Sequence, residues 1–140
     1  MDDLPSEFWQ GVEQFNQQDF YACHDTLEAI WINALPSDKN FFQGILQIAV
    51  ALYHLGNENW RGAVILLGEG TNRLTAYPSD YGKIDLEQLI EDSRALLTRL
   101  QATGPKQISA IAQQLINPPP PLDSHDPEPI SLRFPIIKRL

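Results

Sequence analysis

Residues 41–55 read FFQGILQIAVALYHL, and apolar side chains occupy almost every face of the helix this stretch would form. A helix that is hydrophobic all round belongs in the middle of a small domain. No convincing strand alternation appears before the tail, so other helices must cover it. Working outward, the spacing predicts a helix over residues 5–17, with Phe8, Trp9, Val12 and Phe15 on one face and Ser6 as its cap. A second runs over residues 19–35 and stops before Pro36, which disfavours helix in the residue preceding it. The central helix spans residues 39–55. A fourth follows over residues 60–76, with Trp60, Ala63, Val64, Leu67, Thr71 and Leu74 inside. Asp85 and Gln88 stand at capping-box spacing and open a fifth, whose buried face is Leu86, Leu89, Ile90, Leu96, Leu97 and Leu100. Gly104 stops it, and Ile108, Ile111, Ala112 and Leu115 make a short sixth.

The predicted fold class is therefore all-α, a compact bundle of about five to six helices over residues 1–117. Two helical hairpins and a further helix pair build it. A shift of about 40 residues lays Val12 on Leu52, Phe15 on Leu55, Phe20 on Trp60, Cys23 on Ala63 and Leu27 on Leu67. Each unit is two antiparallel helices joined by a short polar turn, NQQD in one and GNEN in the other. Two such units fall short of the three or more that a solenoid requires, so the reading is a bundle with pseudo-repeat character. Residues 118–140 are expected to form an extended Pro-rich C-terminal arm, since consecutive prolines suit neither helix nor central strand.

Composition excludes several function classes. The formal net charge of −8 argues against nucleic acid, which needs clustered Lys and Arg, and against an anionic membrane surface. Cys23 is the only cysteine, so no intramolecular disulfide forms and a reducing compartment is expected. The opening MDDLPSEFWQ lacks a basic-then-apolar leader. No apolar run reaches the roughly 18–20 residues of a membrane span. Together these predict a cytoplasmic protein.

Polar residues beside the apolar faces carry the candidate chemistry. His24 and Glu28 lie one turn apart, so both project from one face of the second helix. Gln43, Gln47 and His54 form a polar stripe on the oily central helix, within about 40° of one another. An unpartnered buried polar group costs roughly 1–3 kcal/mol, so these side chains need partners. If the second and third helices face each other with these stripes, a cleft gathers two imidazoles, a carboxylate and two amides. Two readings follow. In one, His24, Glu28 and His54 hold a divalent metal such as zinc, whose bound water attacks a substrate held by Gln43 and Gln47. In the other, Gln43, Gln47 and Trp31 line a metal-free pocket for a small molecule or a protein segment, or the polar groups only fix helix register. Arg61, Glu69 and Arg73 read as a solvated face, His125 as exposed, and Cys23 lacks a base suited to activate it.

The motifs FNQQDFYACHDTLEAIW (residues 15–31) and FFQGILQIAVALYHLGNENWRGA (residues 41–63) resemble the family called domain of unknown function 309, over about residues 8–75. The resemblance implies an all-helical bundle and no established activity, although members are catalogued as predicted metal-dependent hydrolases. The family pattern falls on His24, Glu28, Trp31, Gln43, Gly44, Gln47, His54, Gly62 and Ala63, while Asp25 departs from the glutamate many members carry after the histidine.

The tail ends in PISLRFPIIKRL, where Ile130, Leu132, Phe134 and Ile136 recur at every second residue. In an extended chain they share one face, so the arm is expected to dock on its own bundle or on a second subunit as a homo-oligomer. Lys138 and Arg139 would suit an acidic surface.

Overall fold

A computed structural model describes residues 4–116 and 133–140, so the Pro-rich run, His125, Ile130 and Leu132 lie outside the described residues. Six α-helices follow one another: α1 Ser6–Asn16, α2 Phe20–Ile32, α3 Pro36–Gly56, α4 Trp60–Leu74, α5 Leu86–Thr103 and α6 Ile108–Ile116. Single 3-10 turns, Tyr81–Lys83 and Pro105–Gln107, precede α5 and α6. The all-α bundle is as expected, and several boundaries move for identifiable reasons. Ser6 does not cap α1, which starts directly after Pro5 without a side-chain cap. Three residues pass from the end of α2 to the start of α3, because Pro36 takes a first-turn position where its missing N–H leaves nothing unsatisfied. Asp85 caps α5 by accepting from the Gln88 N–H at 3.0 Å, but Gln88 does not close the box. Its side chain turns to Asp92, and the Asp85 N–H donates instead to the carbonyl of Lys138.

The pseudo-repeat is visible in the backbone. Gln18 (φ 64°) and Glu58 (φ 60°) occupy the same place in the two hairpin turns, each a non-glycine residue in the left-handed region. The hydrogen bonds repeat with them: Gln18 to Phe15 and Glu58 to Leu55 at 3.0 Å, then Asp19 to Gln14 at 2.9 Å and Asn59 to His54 at 2.8 Å. One turn chemistry is thus used twice, to fold α1 onto α2 and α3 onto α4.

Helix α3 is the spine. Phe41, Phe42, Ile45, Ile48, Leu52 and Leu55 are all essentially inaccessible on it. Its closest neighbour is α4, and two glycines set the approach. A Cβ on Gly70 would stand 2.7 Å from the carbonyl oxygen of Gly44, and a Cβ on Gly44 would stand 2.7 Å from the Leu74 side chain. Further along, Phe41 packs on Phe8, Phe42, Tyr77 and Tyr81, joining α1, α3 and the segment after α4. The Trp60 indole N–H donates to the carbonyl of Leu100 at 2.8 Å and ties α4 to α5.

Residues 133–140 return to this bundle. Phe134 stacks edge-on against Phe20, with centroids 5.1 Å apart, and Ile137 is 2% exposed. The two-residue alternation expected for the arm does not hold, since Ile136 is 43% exposed. Pro135 is the reason: proline fixes φ and favours a polyproline-like path, on which residues three apart share a face. The Arg139 guanidinium lies 4.1 Å over the Trp9 ring, in a groove whose lining also includes Asp38 and Asp80.

Gly70→Ala drives a methyl group against a backbone carbonyl that cannot rotate away, and is expected to cost about 1–3 kcal/mol of stability. Urea unfolding measures it, and an unchanged midpoint would show that the two helices separate without penalty. Ser93→Ala should act in the opposite direction. The Ser93 hydroxyl is buried in α5 and has no hydrogen-bond partner among the described residues. Its removal is expected to raise stability by up to about 1 kcal/mol in the same assay.

Candidate functional site

Gln47 and His54 of the α3 stripe face α4 and the turn into it, and this decides what they do. Gln47 is 7% exposed and fully engaged. Its amide donates to Glu69 at 3.1 Å, and its carbonyl oxygen accepts from the Arg73 Nε at 2.9 Å. Arg73 also donates to Asn40 at 2.8 Å. Glu69 and Arg73 are therefore not merely solvated, as their sequence positions suggest, but are the partners that make a buried amide tolerable. Gly70 is what brings α4 close enough for them to reach.

His54 serves the turn into α4. Asn59 caps that helix, its Oδ1 accepting from the Gly62 N–H at 3.0 Å. The other end of the same amide lies 3.2 Å from His54 Nδ1. With the amide oxygen committed to the cap, its NH2 donates to the ring, and a neutral His54 then carries its proton on Nε2. A Cβ on Gly62 would fall 2.7 Å from the Asn59 amide and 3.0 Å from the imidazole, so the glycine is required by the packing of cap and ring.

His24 and Glu28 stay together on the outer side of α2. His24 Nε2 lies 3.3 Å from Glu28 and Nδ1 lies 3.2 Å from Asp25, with the Glu28 side chain 54% exposed. Between His24 and His54 stand the rings of Tyr21 and Tyr53, whose centroids are 5.5 Å apart. The structure does not gather His24, Glu28 and His54. Among the described residues no group of three or more His, Cys, Asp or Glu is placed to hold a metal ion. Among the described residues, His24 and Glu28 thus fall short of the three-ligand set that the family resemblance implies for a metal. Trp31 is partly buried against the core, with the Lys39 ammonium 4.7 Å over its ring. Gln43 is half-buried on α3. Burial, and then the carboxylate of Asp19, push the Cys23 thiol up to about 12, so it supplies no thiolate at neutral pH.

The concave surface lies on the other side of α2. A groove of about 650 Å³ runs between the N-terminal end of α1 and the C-terminal end of α2. Ala29, Ile30, Ala34 and Leu35 form one wall, Leu4 and Pro5 the other, and Glu7 and Asp38 add carboxylates. A second groove of about 600 Å³ adjoins it through Leu4, Leu35 and Asp38 and reaches Tyr81, Lys83 and Arg139. There the Tyr81 hydroxyl donates to the Asp38 carboxylate in a short hydrogen bond, and the Tyr77 hydroxyl donates to the carbonyl of Ser37 at 2.8 Å. Sequence reasoning missed these grooves. The available signal was the set of apolar residues Ile30, Ala34 and Leu35 at and just after the end of α2.

A bundle built on two related helical hairpins, with Gln47 engaged between α3 and α4 and His54 at the cap of α4, defines the class of protein. Residues 8–66 match the model of the family Domain of unknown function (DUF309), which bears out the resemblance read from the sequence; the match runs from α1 to the first part of α4. The chain is also similar to the uncharacterized protein YpuF of Bacillus subtilis (strain 168), at 36% identity over 66 residues. That alignment covers 46% of this chain and 38% of YpuF, so the chain spans well under half of that relative's length. No solved structure matches. No helix among the described residues is long and apolar enough to cross a membrane.

Burial, and next the bond to Asp38, raise the Tyr81 phenol to about 12, and burial raises Tyr77 in the same direction. A phenol with a folded-state pKa above its unfolded value of about 10 binds its proton more tightly when folded. Its contribution is complete below about pH 10 and is lost as the pH rises through about 12. Tyr81→Phe is therefore expected to be less stable than the parent near neutrality, with a gap that narrows in alkali. Denaturant midpoints across that range test this; a gap independent of pH would remove the link.

Proposed function

We infer that this chain is a helical binding module and that its site is the groove between α1 and α2. The observation that carries the reading is the lining: apolar walls interrupted by Gln10, Thr26 and Asn33, with carboxylates Glu7 and Asp38 and, among the described residues, no lysine or arginine. An occupant that satisfies both is a segment of a partner protein carrying apolar side chains and a lysine or arginine. The groove's size lies in the range of pockets that take compact ligands, roughly 300–1,000 Å³. The net charge of −8 adds long-range attraction for a basic partner. Gln43, Gln47 and Trp31 then act as supports of the scaffold rather than as ligand contacts.

The test uses a synthetic Leu/Lys model peptide and methyl NMR of the full chain. The Ala29, Ile30 and Leu35 methyl resonances are expected to shift together and saturably, with binding weakened by salt and lost in Ala29→Arg. Shifts elsewhere, or none at all, would refute the reading.

One observation keeps a second reading in view: His24 and Glu28 are adjacent, accessible and of metal-ligating type. The hydrolase alternative requires a third ligand from outside this set. Elemental analysis of untagged protein and zinc titration decide it. Stoichiometric uptake that disappears in His24→Ala favours the metal, and substoichiometric metal unchanged by that substitution favours the binding module.

A further inference from the structure

The seat of residues 133–140 is built from several elements, and each reads a different feature of the segment. Asn16, the last residue of α1, meets Ile137 with both ends of its amide. Its Nδ2 donates to the Ile137 carbonyl at 2.8 Å, and its Oδ1 accepts from the Ile137 N–H at 2.7 Å. A side chain thereby does what a neighbouring strand does, and it reads backbone without regard to sequence. On the opposite side the segment pairs with the chain ahead of α5. Ile84 and Arg139 form an antiparallel bridge, with the Asp85 N–H on the Lys138 carbonyl at 2.8 Å and the Leu140 N–H on the Lys83 carbonyl at 2.9 Å.

Specificity comes from three side chains. Phe134 enters edge-on against Phe20, itself edge-on to Phe15 at 5.5 Å. Ile137 is buried. The Arg139 guanidinium carbon lies 4.1 Å from the Trp9 ring centroid, a cation–π arrangement. Ile136, Lys138 and Leu140 point outward and are not read. Main-chain pairing for affinity, with side-chain anchors at fixed spacing for specificity, is the logic of peptide recognition by strand addition.

We propose that this seat is a peptide-recognition site for an extended Phe-x-x-Ile-x-Arg segment, and that its occupant in trans is residues 133–140 of a second copy of this chain. The segment bound in cis is the direct indication of the ligand's chemistry. A segment covalently joined to its seat outcompetes a free copy of the same segment, so exchange between copies emerges when the cis segment is weakened. The site is separate from the groove between α1 and α2 and stands or falls independently of it.

The probe is a fluorescently labelled peptide of residues 133–140, RFPIIKRL. The receptor is the full chain carrying Phe134→Ala and Ile137→Ala, which weakens its own segment and leaves the seat intact. Saturable binding is expected, weakened at least about tenfold when the peptide's Phe or Ile is replaced by Ala, or when Asn16→Ala is added to the receptor. A folded receptor that binds no peptide, or binds a scrambled sequence equally well, overturns the proposal. Should the receptor variant lose its helical circular dichroism, the wild-type chain labelled with nitrogen-15 replaces it. Excess unlabelled peptide must then shift the Ile137 amide resonance toward its unstructured position, and an unmoved resonance at millimolar peptide overturns the proposal as well.

Discussion

The close passage of α4 over α3 at Gly44 and Gly70 is the constraint on which the rest of the structure depends. With no side chain at either position, a carbonyl oxygen of one helix stands where the other helix would place a Cβ. That proximity lets Leu74 lie over Gly44 and brings Glu69 and Arg73 within reach of the buried Gln47 amide. It also fixes where the chain leaves α4, which sets Tyr77 and Tyr81 against Phe41. The segment ahead of α5 is placed in turn, and it offers the backbone groups that pair with residues 138 and 140.

The two hairpins show how one local design is put to different uses. Both turns carry the left-handed residue at the same step and repeat the same backbone bonds. In the second, Asn59 caps α4 and holds the ring of His54, which requires Gly62. In the first, Asp19 makes no side-chain cap bond, and Asn16 is left to clasp Ile137. The position equivalent to Asn16 is Gly56, whose surroundings are open. A repeat that was symmetric in backbone has thus become asymmetric in surface, with the first hairpin supplying Asn16 and Phe20 to the arm seat.

Several positions of the family pattern have physical explanations that need no chemistry. Gly44, Gln47, His54 and Gly62 serve the contact between α3 and α4, and Ala63 is 1% exposed. Buried polar groups of this kind specify register, because any slip leaves an amide or imidazole without a partner. His24 and Glu28 differ in standing on the outer part of α2, and Trp31 in packing at the edge of the core beneath Lys39.

The sequence by itself determined the helical class, the number and rough extent of the helices, and the repeat, because these rest on periodicity and on local punctuation. An apolar run such as residues 41–55 can be placed without knowing its neighbours. The Asp85 cap was legible for the same reason, while the second half of its box was not, since residue 138 takes the Asp85 N–H. Tertiary structure alone decided which helix the Gln47 and His54 stripe would meet. Both α2 and α4 lie against α3, and periodicity fixes the angle between two residues on one helix but not the helix they face. The glycines that draw α4 in settle it, through a steric fact visible only when both backbones are present. The grooves and the arm seat were hidden for the same reason. Each is made by residues far apart in the chain, such as Asn16 and Ile137, whose meeting no local pattern encodes.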